Sequence, residues 1–126
     1  MKPLKDQPEK GIAAQVDGTK EWYKNGKRHR EDGPAVIRAN GAREWYLNGK
    51  RHRVDGPAII WADGHEEWYL KGKLHRADGP AIIRVNGNEE WYLKGKLHRK
   101  DGPAVVWADG TKKWRRCLGE WVRKLF

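Results

Sequence analysis

The sequence predicts an all-β protein: an elongated row of tandem β-hairpins ended by a short C-terminal α-helix. Three observations carry that reading. Glycines at 18, 41, 64, 87 and 110 stand 23 residues apart, and Trp22, Trp45, Trp68, Trp91 and Trp114 keep the same interval. Each interval holds two Asp-Gly, Asn-Gly or Lys-Gly turns flanked by β-branched and aromatic residues, a strong hairpin signal. Glycine and proline recur too often for a helix to run through the array.

Taken in order, residues 1–11 ("MKPLKDQPEKG") read as a partly disordered arm. They contain no apolar run of the kind a signal peptide needs, which suits a cytoplasmic protein. Residues 12–114 hold the array. "GIAAQVDG" matches the end of a unit ("PAIIWADG") and reads as half a repeat; four full units and the start of a fifth follow. Within a unit, "EWYL", "KRH" and "PAIIW" read as short strands. The loose Asp-Gly-Pro corner lies between the second and third.

Both glycine turns are expected to be two-residue type I′ loops. Across Asn48-Gly49 that pairs Trp45 with His52. Across Asp63-Gly64 it pairs Ile59 with Trp68 and Ile60 with Glu67. One face would then carry Trp, His and the first Ile or Val, the other Tyr, Ala and the second.

A longer period is superimposed: Arg38, Trp61, Arg84 and Trp107 alternate, as do Asn40, Asp63, Asn86 and Asp109. Different neighbours for odd and even units, as in a dimer, or duplication of a two-unit block would each produce it.

Residues 115–126 read as an amphipathic capping helix. Trp114, Cys117, Leu118, Trp121, Val122 and Leu125 follow helical spacing, and a terminal repeat needs cover for its open edge.

Composition narrows the function. Lys plus Arg is 27 against 17 Asp plus Glu, a net charge of +10. Residues 110–126 alone sum to +5, six basic side chains against Glu120. A charge of this size speaks of solubility and anionic partners. The single cysteine, Cys117, allows no internal disulfide. No run approaches the roughly 20 apolar residues of a membrane span.

The unit "WYLNGKRHRVDGPAIIWADG" resembles the short tandem repeats of MORN and MORN-like (YwqK-type) proteins. It is more similar still to the WYxNGKxHRxDGPA repeats of bacteriophage and giant-virus proteins. The likeness covers residues 12–114. It departs from the common pattern by adding a Pro-Ala corner and by placing Arg30, Arg53, Arg76 and Arg99 near the usual glycine. The resemblance implies a row of hairpins and a binding role, and no enzyme activity.

The residues themselves agree. Arg and Asp of each "HRxDGP" flank a corner, so Asp32, Asp55, Asp78 and Asp101 are expected to be structural, as are Trp22, Trp45, Trp68, Trp91 and Trp114. The four in-register histidines lie too far apart to share one metal ion, given strands about 4.8 Å apart and ligand bonds of about 2 Å. The sequence offers no catalytic constellation and no cofactor motif.

Candidate partner-binding residues are the cations beside aromatics, Lys27, Arg28, Arg30, Lys50, Arg51 and Arg53. Arg115, Arg116, Trp121, Arg123 and Lys124 of the tail join them. Two features weigh against nucleic acid: Leu74 and Leu97 replace Arg28 and Arg51, and a glutamate precedes each Trp from 22 to 91. The expected partner is a protein. Nucleic acid is the second reading and anionic lipid the third, and a homodimer is compatible with the alternation.

Overall fold

The computed structural model describes residues 11–14, 17–115 and 121–125, with side chains over 17–114. The fold is all-β. Eleven strands follow one another across a single antiparallel sheet in chain order. They are Gly11–Ala14, Lys20–Lys24, Val36–Ile37, Arg43–Glu44, Ile59–Ile60, Glu66–Glu67, Ile82–Ile83, Glu89–Glu90, Val105–Val106, Thr111–Arg115 and Trp121–Leu125. A twelfth, Lys27–Arg28, pairs with Lys20–Lys24.

Most strands in the array are two residues long. The Trp45 N–H adds a rung beyond the Glu44–Ile59 pair by bonding Ala58 O at 2.7 Å, and Trp22, Trp68 and Trp91 do the same with Ala35, Ala81 and Ala104. Past Trp45, Trp68 and Trp91, three small hairpins form a second row: Tyr46–Leu47 with Lys50–Arg51, Tyr69–Leu70 with Lys73–Leu74, and Tyr92–Leu93 with Lys96–Leu97.

The hairpin tips are type I′ turns. Asn48 has φ 50° and Gly49 83°, the two positive values this turn requires. Tyr46 faces Arg51 and the His52 N–H bonds Trp45 O at 3.1 Å, which is the expected pairing.

The other turn differs from expectation. Gly64 N–H bonds Trp61 O at 3.0 Å, Trp61 N–H bonds His65 O at 2.9 Å, and only Gly64, at φ 98°, is left-handed. This is a three-residue loop, a type I turn closed by a glycine bulge. Its cause is local: the Asp63 carboxylate accepts the His65 N–H at 3.0 Å, and Asn40, Asn86 and Asp109 repeat that bond.

The extra residue shifts the register by one. Ile59 faces Glu67 and Ile60 faces Glu66, not Trp68 and Glu67. Because side chains alternate faces, the slip corrects the whole face assignment. The first Ile or Val of each pair shares its face with a glutamate. Val36 and Ile59 are fully buried there, and Ala35, Val36 and Tyr46 pack as a cluster against Trp22. Full burial of one such Ile contributes about 1.5–3 kcal/mol.

The expected C-terminal helix is also corrected over 121–125. Trp121–Leu125 is a strand, paired with Thr111–Arg115 so that Trp114 faces Val122. A helix of about 12 residues has little stability of its own, whereas a further hairpin satisfies the row of backbone groups at a sheet edge. The expected disordered arm and residues 116–120 lie outside the described residues, apart from Gly11, which opens the first strand.

Candidate functional site

Three repeated rows decide what the surface can do. The first is buried in the early units and half-buried in the later ones. Glu21 and Glu44 are 7% and 3% exposed. The hydroxyl of the tyrosine two residues on donates to each glutamate of the row: Tyr23 to Glu21, Tyr46 to Glu44 at 2.8 Å, Tyr69 to Glu67 at 2.8 Å, and Tyr92 to Glu90 at 2.9 Å.

A second donor alternates along the row. Arg38 reaches Glu44 at 2.7 Å and Arg84 reaches Glu90 at 3.4 Å, while in the unit between them His65 reaches Glu67 at 2.8 Å and the Trp61 indole lies at 3.5 Å. The 46-residue alternation of Arg and Trp is therefore an alternation in what covers a buried carboxylate. Burial alone would raise the Glu67 carboxyl, but the bonds from His65, Tyr69 and Trp61 outweigh it and hold it below its ordinary value. Burial, then the bond to glutamate, pushes Tyr92 up to about 12 and raises Tyr23 and Tyr69 as well.

The second row is a set of arginine clamps. The guanidinium carbons of Arg30, Arg53, Arg76 and Arg99 lie 3.8, 3.8, 3.7 and 3.9 Å from the ring centres of Trp22, Trp45, Trp68 and Trp91. Each of the four donates to the carbonyl of its corner proline (34, 57, 80 or 103) at 3.1 Å. Arg30, Arg53 and Arg76 also pair with Asp32, Asp55 and Asp78 at 3.3, 3.4 and 3.3 Å, although those aspartates remain 88–89% exposed. The HRxDGP motif is thus a clamp that fixes the corner onto the tryptophan.

Arg28 and Arg51 join neighbouring units. Each reaches the next tyrosine hydroxyl, Arg28 to Tyr46 at 3.5 Å and Arg51 to Tyr69 at 3.3 Å. Arg28 also pairs with Glu21 at 3.2 Å. Adjacent units are further tied by histidine: His29, His52 and His75 accept through Nδ1 from the N–H of Asn48, Lys71 and Lys94, each at 2.9 Å. Among the described residues no group of three or more His, Cys, Asp or Glu is placed to hold a metal ion.

The third row is free. Lys24, Lys27, Lys50, Lys71, Lys73, Lys94 and Lys96 flank or occupy the hairpin tips; all but the half-buried Lys24 are exposed. None of these side chains makes an ion pair among the described residues. The nine arginines over 17–114 are, by contrast, all held by a ring, a carboxylate or a carbonyl.

Of the sequence candidates, Lys27 and Lys50 therefore lie on the free row, whereas Arg28, Arg30, Arg51 and Arg53 are engaged within the fold. Arg115 belongs to the penultimate strand, and Trp121, Arg123 and Lys124 to the last, where they face Arg115, Lys113 and Lys112 in register. Arg116 lies outside the described residues. Sequence reasoning passed over Lys71, Lys73, Lys94 and Lys96. The exchange of Asn for Lys at 71 and 94, in a turn that favours Asn, was the available signal.

A groove of about 520 Å³ opens between the first two corners. Trp45, Leu47 and Val54 form its apolar part; Glu31 and the Arg30–Asp32 and Arg53–Asp55 pairs form its charged part. Val54 is 77% exposed. No described helix is long and apolar enough to cross a membrane. The chain matches no protein-family model and no curated protein.

Proposed function

We propose that this chain is a non-enzymatic repeat scaffold of the MORN-like (YwqK-type) kind that binds a macromolecular partner. On this reading the partner is a host protein, which a phage- or virus-encoded chain binds and inhibits in the host cytoplasm. The likeness of the WYxNGKxHRxDGPA units to phage and giant-virus repeats supports the origin.

The observation that carries the binding role is the groove between corners, with Val54 standing out beside Glu31, Asp32 and Asp55. An apolar contact rimmed by Glu31 and two Arg–Asp pairs suits a protein segment that carries both apolar and polar side chains. The test is capture from nuclease-treated host lysate on immobilised chain, compared with Val54→Glu. A protein retained by the first and lost from the second is the expected result. Equal retention by both would remove the groove from the interface, and no specific retention would remove the reading.

A further inference from the structure

We propose that the lysine edge binds the phosphate backbone of duplex nucleic acid without reading its bases, through a surface separate from the corner groove. The starting point is which cations the fold leaves free. Each arginine over 17–114 has a ring, carboxylate or carbonyl partner, although Arg43 and Arg84 are exposed, whereas the seven tip lysines make no ion pair among the described residues.

The tips are held in register. Gly49, Gly72 and Gly95 donate to the carbonyls of Arg28, Arg51 and Leu74 in the preceding hairpin, at 2.9, 2.8 and 2.8 Å. With two strands per unit, each about 4.8 Å wide, tips recur about every 10 Å and four tips span about 30 Å. One strand of a duplex carries a phosphate about every 3.4 Å of axis, so about nine phosphates face seven ammonium groups over that length. A lysine ammonium is a compact charge on a flexible stem, which follows a backbone without requiring a fixed fork geometry.

The features that weighed against nucleic acid in the sequence change meaning in the fold. The glutamates before the tryptophans turn inward and are bonded to tyrosine, so they do not confront phosphate. Arg28 and Arg51 bridge units, so their replacement by Leu74 and Leu97 leaves the lysine row intact. Corner aspartates 32, 55 and 78 are offset by their own arginines. A guanidinium covers one face of Trp22, Trp45, Trp68 and Trp91, and Trp61, 38% exposed, is a single ring, so these residues present no row of stacking faces, which favours a duplex over an unpaired strand.

The test uses the full chain and a fluorescein-labelled mixed-sequence duplex of about 20 base pairs, followed by anisotropy at about 50 and about 200 mM salt. The comparison variant carries Lys50→Gln, Lys71→Asn, Lys73→Gln, Lys94→Asn and Lys96→Gln. Asn already occupies the turn positions at 25 and 48, so the variant keeps its hairpins, and its thermal unfolding verifies this.

The expected result is a roughly 1,000- to 10,000-fold loss of affinity between the two salts for the native chain. The variant should bind at least about tenfold more weakly at low salt, with a log–log salt slope shallower by about four. Absence of binding at low salt, or a folded variant that binds as tightly as the native chain, overturns the proposal. Displacement of the duplex by a poly-glutamate peptide as readily as by unlabelled duplex of equal charge also overturns it, and assigns the row to an acidic protein surface.

Discussion

Arg53 lies against the face of Trp45 with its guanidinium carbon 3.8 Å from the ring centre, and its other face presses on Gly56. A methyl group at Gly56 would stand 2.8 Å from that carbon, closer than any relaxed contact. The glycine of each Asp-Gly-Pro corner is there for the arginine, since none of the four has positive φ.

Gly56→Ala and Gly79→Ala are therefore expected to destabilise by about 1–3 kcal/mol, because the arginine must leave either the tryptophan or the proline carbonyl. Gly33→Ala, where the nearest approach is 3.1 Å, should cost less. Thermal unfolding of the three variants checks both sign and order. Arg53→Lys should cost about 1–2 kcal/mol, since an ammonium cannot stack flat or reproduce the fork.

Lys71 and Lys94 sit at φ 48° and 49°, in the left-handed region that disfavours an ordinary side chain. Replacing either by Asn, the residue at the equivalent positions 25 and 48, should stabilise by about 0.5–1 kcal/mol. A shift of the denaturation midpoint to higher urea is the expected readout. A shift to lower urea would show that the lysine side chain supports the tip.

Glu44→Ala removes the partner of both Arg38 and Tyr46 inside the sheet. A loss of about 2–3 kcal/mol is expected, below that of a fully buried pair because Arg38 is 38% exposed. Glu66→Gln, on the opposite face, should stay within about 0.5 kcal/mol. Equal effects at the two positions would contradict the register described above.

Alkali should destabilise the array. Tyrosine in the unfolded chain ionises near about 10, whereas Tyr92 is held up to about 12. The stability it contributes is complete below the unfolded value and is lost as pH rises from there through the folded one. In acid the sign reverses for Glu67: its depressed carboxyl stabilises above the usual carboxylate range, and that contribution disappears as pH falls through the folded value. Urea midpoints measured across both ranges, with tyrosinate absorbance followed in the upper one, check the two directions.

The sequence made much of this fold legible, and its failures have identifiable causes. Asn48-Gly49 read correctly as a two-residue turn, so Trp45 and His52 were matched across it. Asp63-Gly64 is nearly the same dipeptide and Asn40-Gly41 is identical, but there the side chain accepts the N–H two residues on and the loop holds three residues. The extra residue moved Glu67 to the inner face, and so concealed the buried carboxylate row.

Arg28 and Lys27 were indistinguishable as charges. Only the fold shows that Arg28 reaches Glu21 and Tyr46 while Lys27 packs its stem over Gly49 and keeps its ammonium free. The tail kept helical spacing, yet residues 121–125 extend the sheet, because an open edge is a stronger demand than the periodicity of a few side chains.

The bond from each histidine to the next hairpin tip joins residues 19 apart, always in the same direction. Nothing in such a link refers to the total number of copies. A two-unit block spliced in or out between Gly41 and Gly87 keeps these links and the alternating order of donors to the glutamates. The length of the array can thus be set by recombination alone, with no compensating change elsewhere in the chain.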